Sequence, residues 1–141
     1  MPPIKQKMHL IFVGAIAIWL GVTSIQTAVA DETLSRDALT ALFANKSIVY
    51  PYKESDENAV VFMDRFGGTE TYVPCEFSHG TWWVSEDARL CWQDSQENNM
   101  GDPAPQCFTP QMSGSDIELT DASGALAVAG KLIEGSRIPT G

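Results

Sequence analysis

From Ser47 onward the chain is a succession of short β-branched and aromatic runs, each stopped by turn residues. Runs of this length at this spacing specify strands that pair with their neighbours in sequence. Ser47 to Tyr50 is the first, stopped by Pro51. Val60 to Asp64 is the second, and Gly67 and Gly68 after it can supply the positive φ of a tight hairpin into Thr69 to Val73. Gly80 to Val84 and Leu90 to Gln93 form the clearest hairpin, joined across Ser85 to Arg89. Gln106 to Thr109, Ile117 to Thr120 and Leu126 to Ile133 complete the set, with Asp121 to Gly124 as a turn. Ala125 to Gly130 is so small-sided that a poorly paired edge or a second short helix is an alternative there.

One segment breaks the strand pattern. Leu39, Leu42 and Phe43 recur at helical spacing, Ser35 stands as an N-cap, and Leu34 is placed to reach Leu39 as a hydrophobic staple. The predicted helix runs from Arg36 to Ala44 and stops at Asn45, and its apolar stripe needs a larger partner. The expected fold is therefore mostly β (α+β): one short N-terminal helix packed on a curved antiparallel meander of about seven or eight short strands. Whether that meander is an open, strongly curved sheet or a small β-barrel is not written in the pattern.

Ahead of this domain, Lys5 and Lys7 precede an apolar run from Leu10 to Val22, and a polar stretch then leads to Ala28, Val29 and Ala30. That is the three-part layout of a secretory signal peptide. The run is shorter than the ~20 residues a membrane-spanning helix needs, and the small residues at Ala28 and Ala30 suit a signal peptidase. The expectation is a cleaved signal peptide over residues 1–30, a single domain over residues 31–141, and a periplasmic or secreted location. An uncleaved anchor is the alternative. No cysteine near the cleavage point could take lipid, and no Arg-Arg pair marks a twin-arginine substrate.

Losing Lys5 and Lys7 takes the formal charge from −9 to −11. A chain with that balance and no Lys or Arg cluster repels phosphate backbones, so neither nucleic acid nor an anionic membrane is an expected partner. Solubility is the plain meaning of the acidity. Partners are instead expected among small molecules or envelope proteins.

Three cysteines, Cys75, Cys91 and Cys107, allow one internal disulfide in an oxidising compartment. Cys91 and Cys107 lie on successive predicted strands flanking the polar segment Gln93 to Gln106, and they are the expected pair. Cys75 is left over, either as a small buried hydrophobe or as a reactive or intermolecular thiol. Sixteen-residue spacings contain no close cysteine pair for zinc.

Catalytic groups are scarce. His79 is the one histidine after residue 30, which limits acid–base catalysis, metal clusters and nucleophilic triads together. It stands four residues from Cys75, so an enzyme using Cys75 with His79, or one using a carboxylate pair, is the alternative to a non-enzymatic protein. No nucleophile elbow, P-loop or dinucleotide fingerprint is present. The acidic stretches Glu54 to Asn58 and Asp94 to Asp102 do not match a calcium loop; in the second, Asn99 and Pro105 stand where the glycine and the bidentate glutamate are needed. No catalytic, cofactor or metal site is expected.

Aromatic residues are the positive signal. Trp82, Trp83 and Trp92 fall on one predicted hairpin with Tyr50, Tyr52, Phe62, Phe66, Tyr72, Phe77 and Phe108 around it. Adjacent Trp82 and Trp83 must point to opposite faces of a strand. Core filling accounts for one; the other is a candidate for a binding surface, because tryptophan is enriched where binding energy concentrates. The candidate surface is Trp82, Trp83 and Trp92.

At Gly80-Thr81-Trp82-Trp83-Val84, Arg89-Leu90-Cys91 and Cys107-Phe108, and at Leu42-Phe43 followed by Lys46, the chain resembles the small exported bacterial proteins of the domain-of-unknown-function family DUF995. It departs from them at Cys75 and at Phe66-Gly67-Gly68, where an Asp-Gly turn is expected. The resemblance spans Leu34 to Arg137 and implies a periplasmic β-rich domain with a Cys91–Cys107 disulfide, without catalytic residues. The functional expectation is a non-enzymatic ligand- or protein-binding module, with an unfamiliar enzyme or an envelope protein assembling through its sheet edges as alternatives.

Overall fold

The structure is a computed structural model and describes residues 34–95, 101 and 103–141. The signal peptide expected over residues 1–30 lies outside the described residues, as do residues 96–100 and 102 of the polar segment after Gln93.

Helix α1 spans Arg36–Phe43. The Ser35 hydroxyl accepts from the Ala38 amide at its start, and at its end Ala44 leaves the helix and Asn45 takes a left-handed φ of 58°. Its buried residues are Leu39 and Phe43, one turn apart on one face.

Eight strands follow: β1 Lys46–Pro51, β2 Asn58–Met63, β3 Gly68–Val73, β4 Glu76–Val84, β5 Leu90–Asp94, β6 Gln106–Ser113, β7 Asp116–Thr120 and β8 Leu126–Glu134. Each pairs antiparallel with the next, and β8 returns to pair with β1, closing a barrel in simple sequence order. Closure settles what the pattern left open. Ala125 to Gly130 is not a helix: Leu126 to Gly130 pair with β7 alone, beside a register shift at Leu119/Thr120, and β1 pairs only with Lys131 to Glu134 of β8, so this stretch is a strand paired on one side, as the edge alternative has it. Gly130 has a steric cause: a Cβ there would collide with the backbone carbonyl of Val49 and with Tyr50, so only glycine lets β1 and β8 approach where the sheet closes.

Two loops are built differently from expectation. In the β2–β3 turn Gly67 alone has positive φ, and the Asp64 carboxylate accepts from the amides of Phe66 (2.7 Å) and Gly68 (2.9 Å). β4 starts at Glu76, four residues before the predicted start, because Pro74 and Cys75 make a two-residue hairpin from Val73 to Glu76. Cys75 occupies the second turn position with φ 68°, a place glycine usually takes.

Alternation along the strands sends one set of side chains inward, and the two ends of the barrel receive different sets. Toward α1, the inner face carries Ile48, Val61, Met63, Val84, Leu90, Ile117 and Leu132, all buried and joined by Leu39 and Phe43 of the helix. The helix caps that end, and the Arg36 side chain donates to the Val84 carbonyl (3.0 Å). Toward the opposite end the inner positions Tyr50, Thr71, Val73, Ser78, Asp94 and Val128 are half-buried, while Ala59 and Leu119, the partners of Tyr50 and Val128, are fully buried. That end has no helix over it among the described residues.

Candidate functional site

The structure divides the three tryptophans between two faces. Trp82 and Trp92 are cross-strand partners on the inner face, 6% and 8% exposed. Trp82 donates its indole N–H to the Asp64 carbonyl (2.7 Å), and Trp92 packs against Phe108 with ring centroids 4.8 Å apart. Both are core residues and present no outer surface, so Trp82, Trp83 and Trp92 do not make a common contact patch. Trp83 faces outward, half-buried, directly opposite Cys91. Cys91 and Cys107 face each other in the β5–β6 register and form the expected disulfide. Cys91 is fully buried, and Arg89 donates to the Cys107 carbonyl (2.7 Å). Trp83 therefore lies on a covalently pinned stretch of wall.

A concave site exists elsewhere on the outer wall. Val49 of β1, Val60 of β2 and Tyr72 of β3 stand in one cross-strand row, each paired with the next. Outward positions of a small barrel are ordinarily polar; here the row is apolar, and Ile133 of β8 continues it on the other side. After β8 the chain turns back across β1. The Ser47 hydroxyl donates to the Gly135 carbonyl (2.7 Å) and accepts from the Arg137 amide (3.0 Å), holding the C-terminal segment against the wall. Arg137 and Pro139 thus form one bank of a groove, and Glu57 and Asn58 at the start of β2 form the other. The groove is open to solvent and offers about 720 Å³, within the usual range of small-molecule sites.

Its rims are charged and its floor is not. Val60 is 5% exposed although it points away from the barrel interior, because the groove walls shield it. Tyr72 reaches Glu57 with its hydroxyl (3.4 Å) and lies 4.9 Å from the ring of Phe77, which is 58% exposed and extends the apolar row onto β4. Arg137 makes no ion pair among the described residues.

No protein-family model, curated protein or solved structure matches the chain.

The nucleophile and base singled out in the sequence are not brought together. Cys75 is an exposed free thiol at the tip of the β3–β4 hairpin, whereas His79 lies four residues along β4 opposite Glu70. At ~3.3 Å per residue the two are about 13 Å apart along the strand, beyond hydrogen-bond reach. The leftover cysteine is therefore an exposed turn residue and not a buried hydrophobe.

Sequence reasoning missed the groove. Its floor is drawn from four strands whose outward residues look like ordinary β-formers, and its bank is a C-terminal segment with no strand pattern of its own. Val49, Val60 and Ile133 at outward positions were the available signal, but the outward face is legible only once the register is known.

Proposed function

We propose that this chain is an exported, periplasmic, non-enzymatic binding module whose site is the outer groove, and that its ligand is amphipathic, with an apolar body and one acidic group. The observation that carries this reading is an apolar floor of Val49, Val60, Tyr72 and Ile133 beneath an arginine that has no ion-pair partner among the described residues. Burying an apolar body against that floor gains on the order of 25 cal/mol per Å², and the guanidinium offers a fork of donors to a carboxylate, sulfonate or phosphate. The signal-like N-terminus, the acidic composition and the disulfide support export, and the resemblance to the DUF995 family belongs to the same proposal.

An anionic naphthalene dye such as 1-anilinonaphthalene-8-sulfonate has this chemistry and serves as the probe. Saturable fluorescence enhancement by the folded, oxidised protein is expected, weakened about ten-fold by Arg137→Gln and by Tyr72→Ala and unchanged by Trp83→Ala. Absence of saturable binding, or equal binding by the Arg137→Gln protein, would remove the groove from consideration. Of the alternatives, assembly through sheet edges has only partial edges to use in a closed barrel, such as Leu126 to Gly130 of β8, which pair on one side.

A further inference from the structure

The half-open end of the barrel carries a second, chemically different feature. Among the described residues three buried side-chain oxygens have no hydrogen-bond partner: Thr69 Oγ1, Thr71 Oγ1 and Asp94 Oδ1. All three are on the inner face. Thr69 and Asp94 flank Gly80 across the β3–β4–β5 register, and Thr71 is one inward position nearer the mouth. Thr69 is 3% exposed, and its hydroxyl oxygen lies 2.9 Å from where a Cβ on Gly80 would stand, so it is aimed over the one inner position of that row that has no side chain. Buried polar atoms are almost always paired. Three orphans lie on one patch of wall, next to inner residues that are half-buried.

We propose that this inner patch binds the protonated primary amine of a small alkylamine, with Thr69, Thr71 and Asp94 accepting its N–H donors. An ammonium group has three donors and no acceptor, matching three unpartnered oxygens. Asp94 supplies the counter-charge. Its carboxyl is held above the usual aspartate range, first by burial and then by the negative charge of Glu76, and no cation is among the groups acting on it; a bound ammonium would relieve both effects. From β1, which is not adjacent to β5 in the sheet, inward Tyr50 senses the same carboxylate and is itself pushed up, chiefly by burial. The alkyl part has apolar inner residues to lie against at the mouth, Val73 and Val128. A divalent metal fits less well, because calcium takes six to eight oxygens, several of them carboxylates, and this patch offers one aspartate. The site is on the opposite face of the wall from the outer groove and stands independently of it.

The test is titration of the isotope-labelled folded domain with n-hexylammonium chloride, with n-hexanol and calcium chloride as parallel arms, read by amide and carboxyl chemical shifts. Saturable shifts at Thr69, Thr71, Gly80 and Asp94 with the amine alone are expected. They should be accompanied by a fall in the Asp94 carboxyl titration midpoint and at least a ten-fold loss of affinity in Asp94→Asn. Equal shifts with hexanol, saturation by calcium instead, or no saturable shift at these residues would overturn the proposal. The midpoint shift is read in the unaltered protein, so the test holds even should Asp94→Asn fold poorly.

Discussion

The two ends of the barrel are built from the same strands by opposite rules. At the helix end the inner wall is built mainly of large apolar side chains, Leu39 and Phe43 plug the opening, Trp82 donates to the Asp64 carbonyl, and on the outer side Ser47 ties Gly135 to Arg137. Toward the other end the inner wall is partly half-buried, Thr71 and Asp94 carry unpartnered oxygens next to that of the buried Thr69, and the titration of both Asp94 and Tyr50 is raised. One end holds the fold together and the other is left with unmet polar demand. Close apolar packing and unmet polar demand are thus separated along the barrel axis.

The contrast is sharpest in core truncation. Phe43→Ala empties a fully buried site under the helix and is expected to cost about 3–5 kcal/mol in urea unfolding, whereas Val128→Ala at the half-open end should cost less than half as much. Equal losses would mean that the second end is as tightly packed as the first. Removing the Cys91–Cys107 crosslink by a double alanine substitution comes next, at about 3 kcal/mol for a loop of this size, read as a lower urea midpoint. A smaller pair of changes reverses sign between the ends. Ser47→Ala deletes a hydroxyl with two partners and should cost about 1–2 kcal/mol, while Thr69→Val deletes an orphan and should be neutral or stabilising by about 1 kcal/mol.

The smallest effect is a pH dependence confined to the half-open end. The Asp94 carboxyl titrates higher in the folded chain than in the unfolded one, so the folded state binds the proton more tightly. Its contribution to stability is fully present below the unfolded aspartate range and is lost as pH rises through the folded value. Asp94→Asn should flatten that part of the stability–pH curve without altering the rest. A curve unchanged by the substitution would show that the carboxyl is solvated.

Much of the fold was legible because its determinants are local. Ser35 caps the helix by accepting from Ala38, Asp121 and Gly124 make the predicted turn, and β-branched runs mark strands to within a few residues of their observed bounds. The strand that began early shows the limit. Glu76 to His79 lacks β-branched residues, and its pairing is imposed by the Pro74–Cys75 hairpin, in which cysteine holds a glycine conformation. The tryptophans show another limit. Their alternation separated Trp82 from Trp83 correctly, but which face was the core depended on Trp92 pairing with Trp82.

By itself the sequence determined the helix, the order and antiparallel sense of the strands and the cysteines that pair, since each rests on residues close in the chain or on one alternating face. Tertiary structure alone decided closure of β8 on β1, the end that the helix covers, the groove beneath the C-terminal segment and the three unpartnered oxygens. Those features depend on register and on contacts between residues far apart in sequence, such as Ser47 with Arg137 and Val49 with Gly130. A pattern of period two states only that a residue faces one side of a sheet; what lies on that side is a property of the closed barrel.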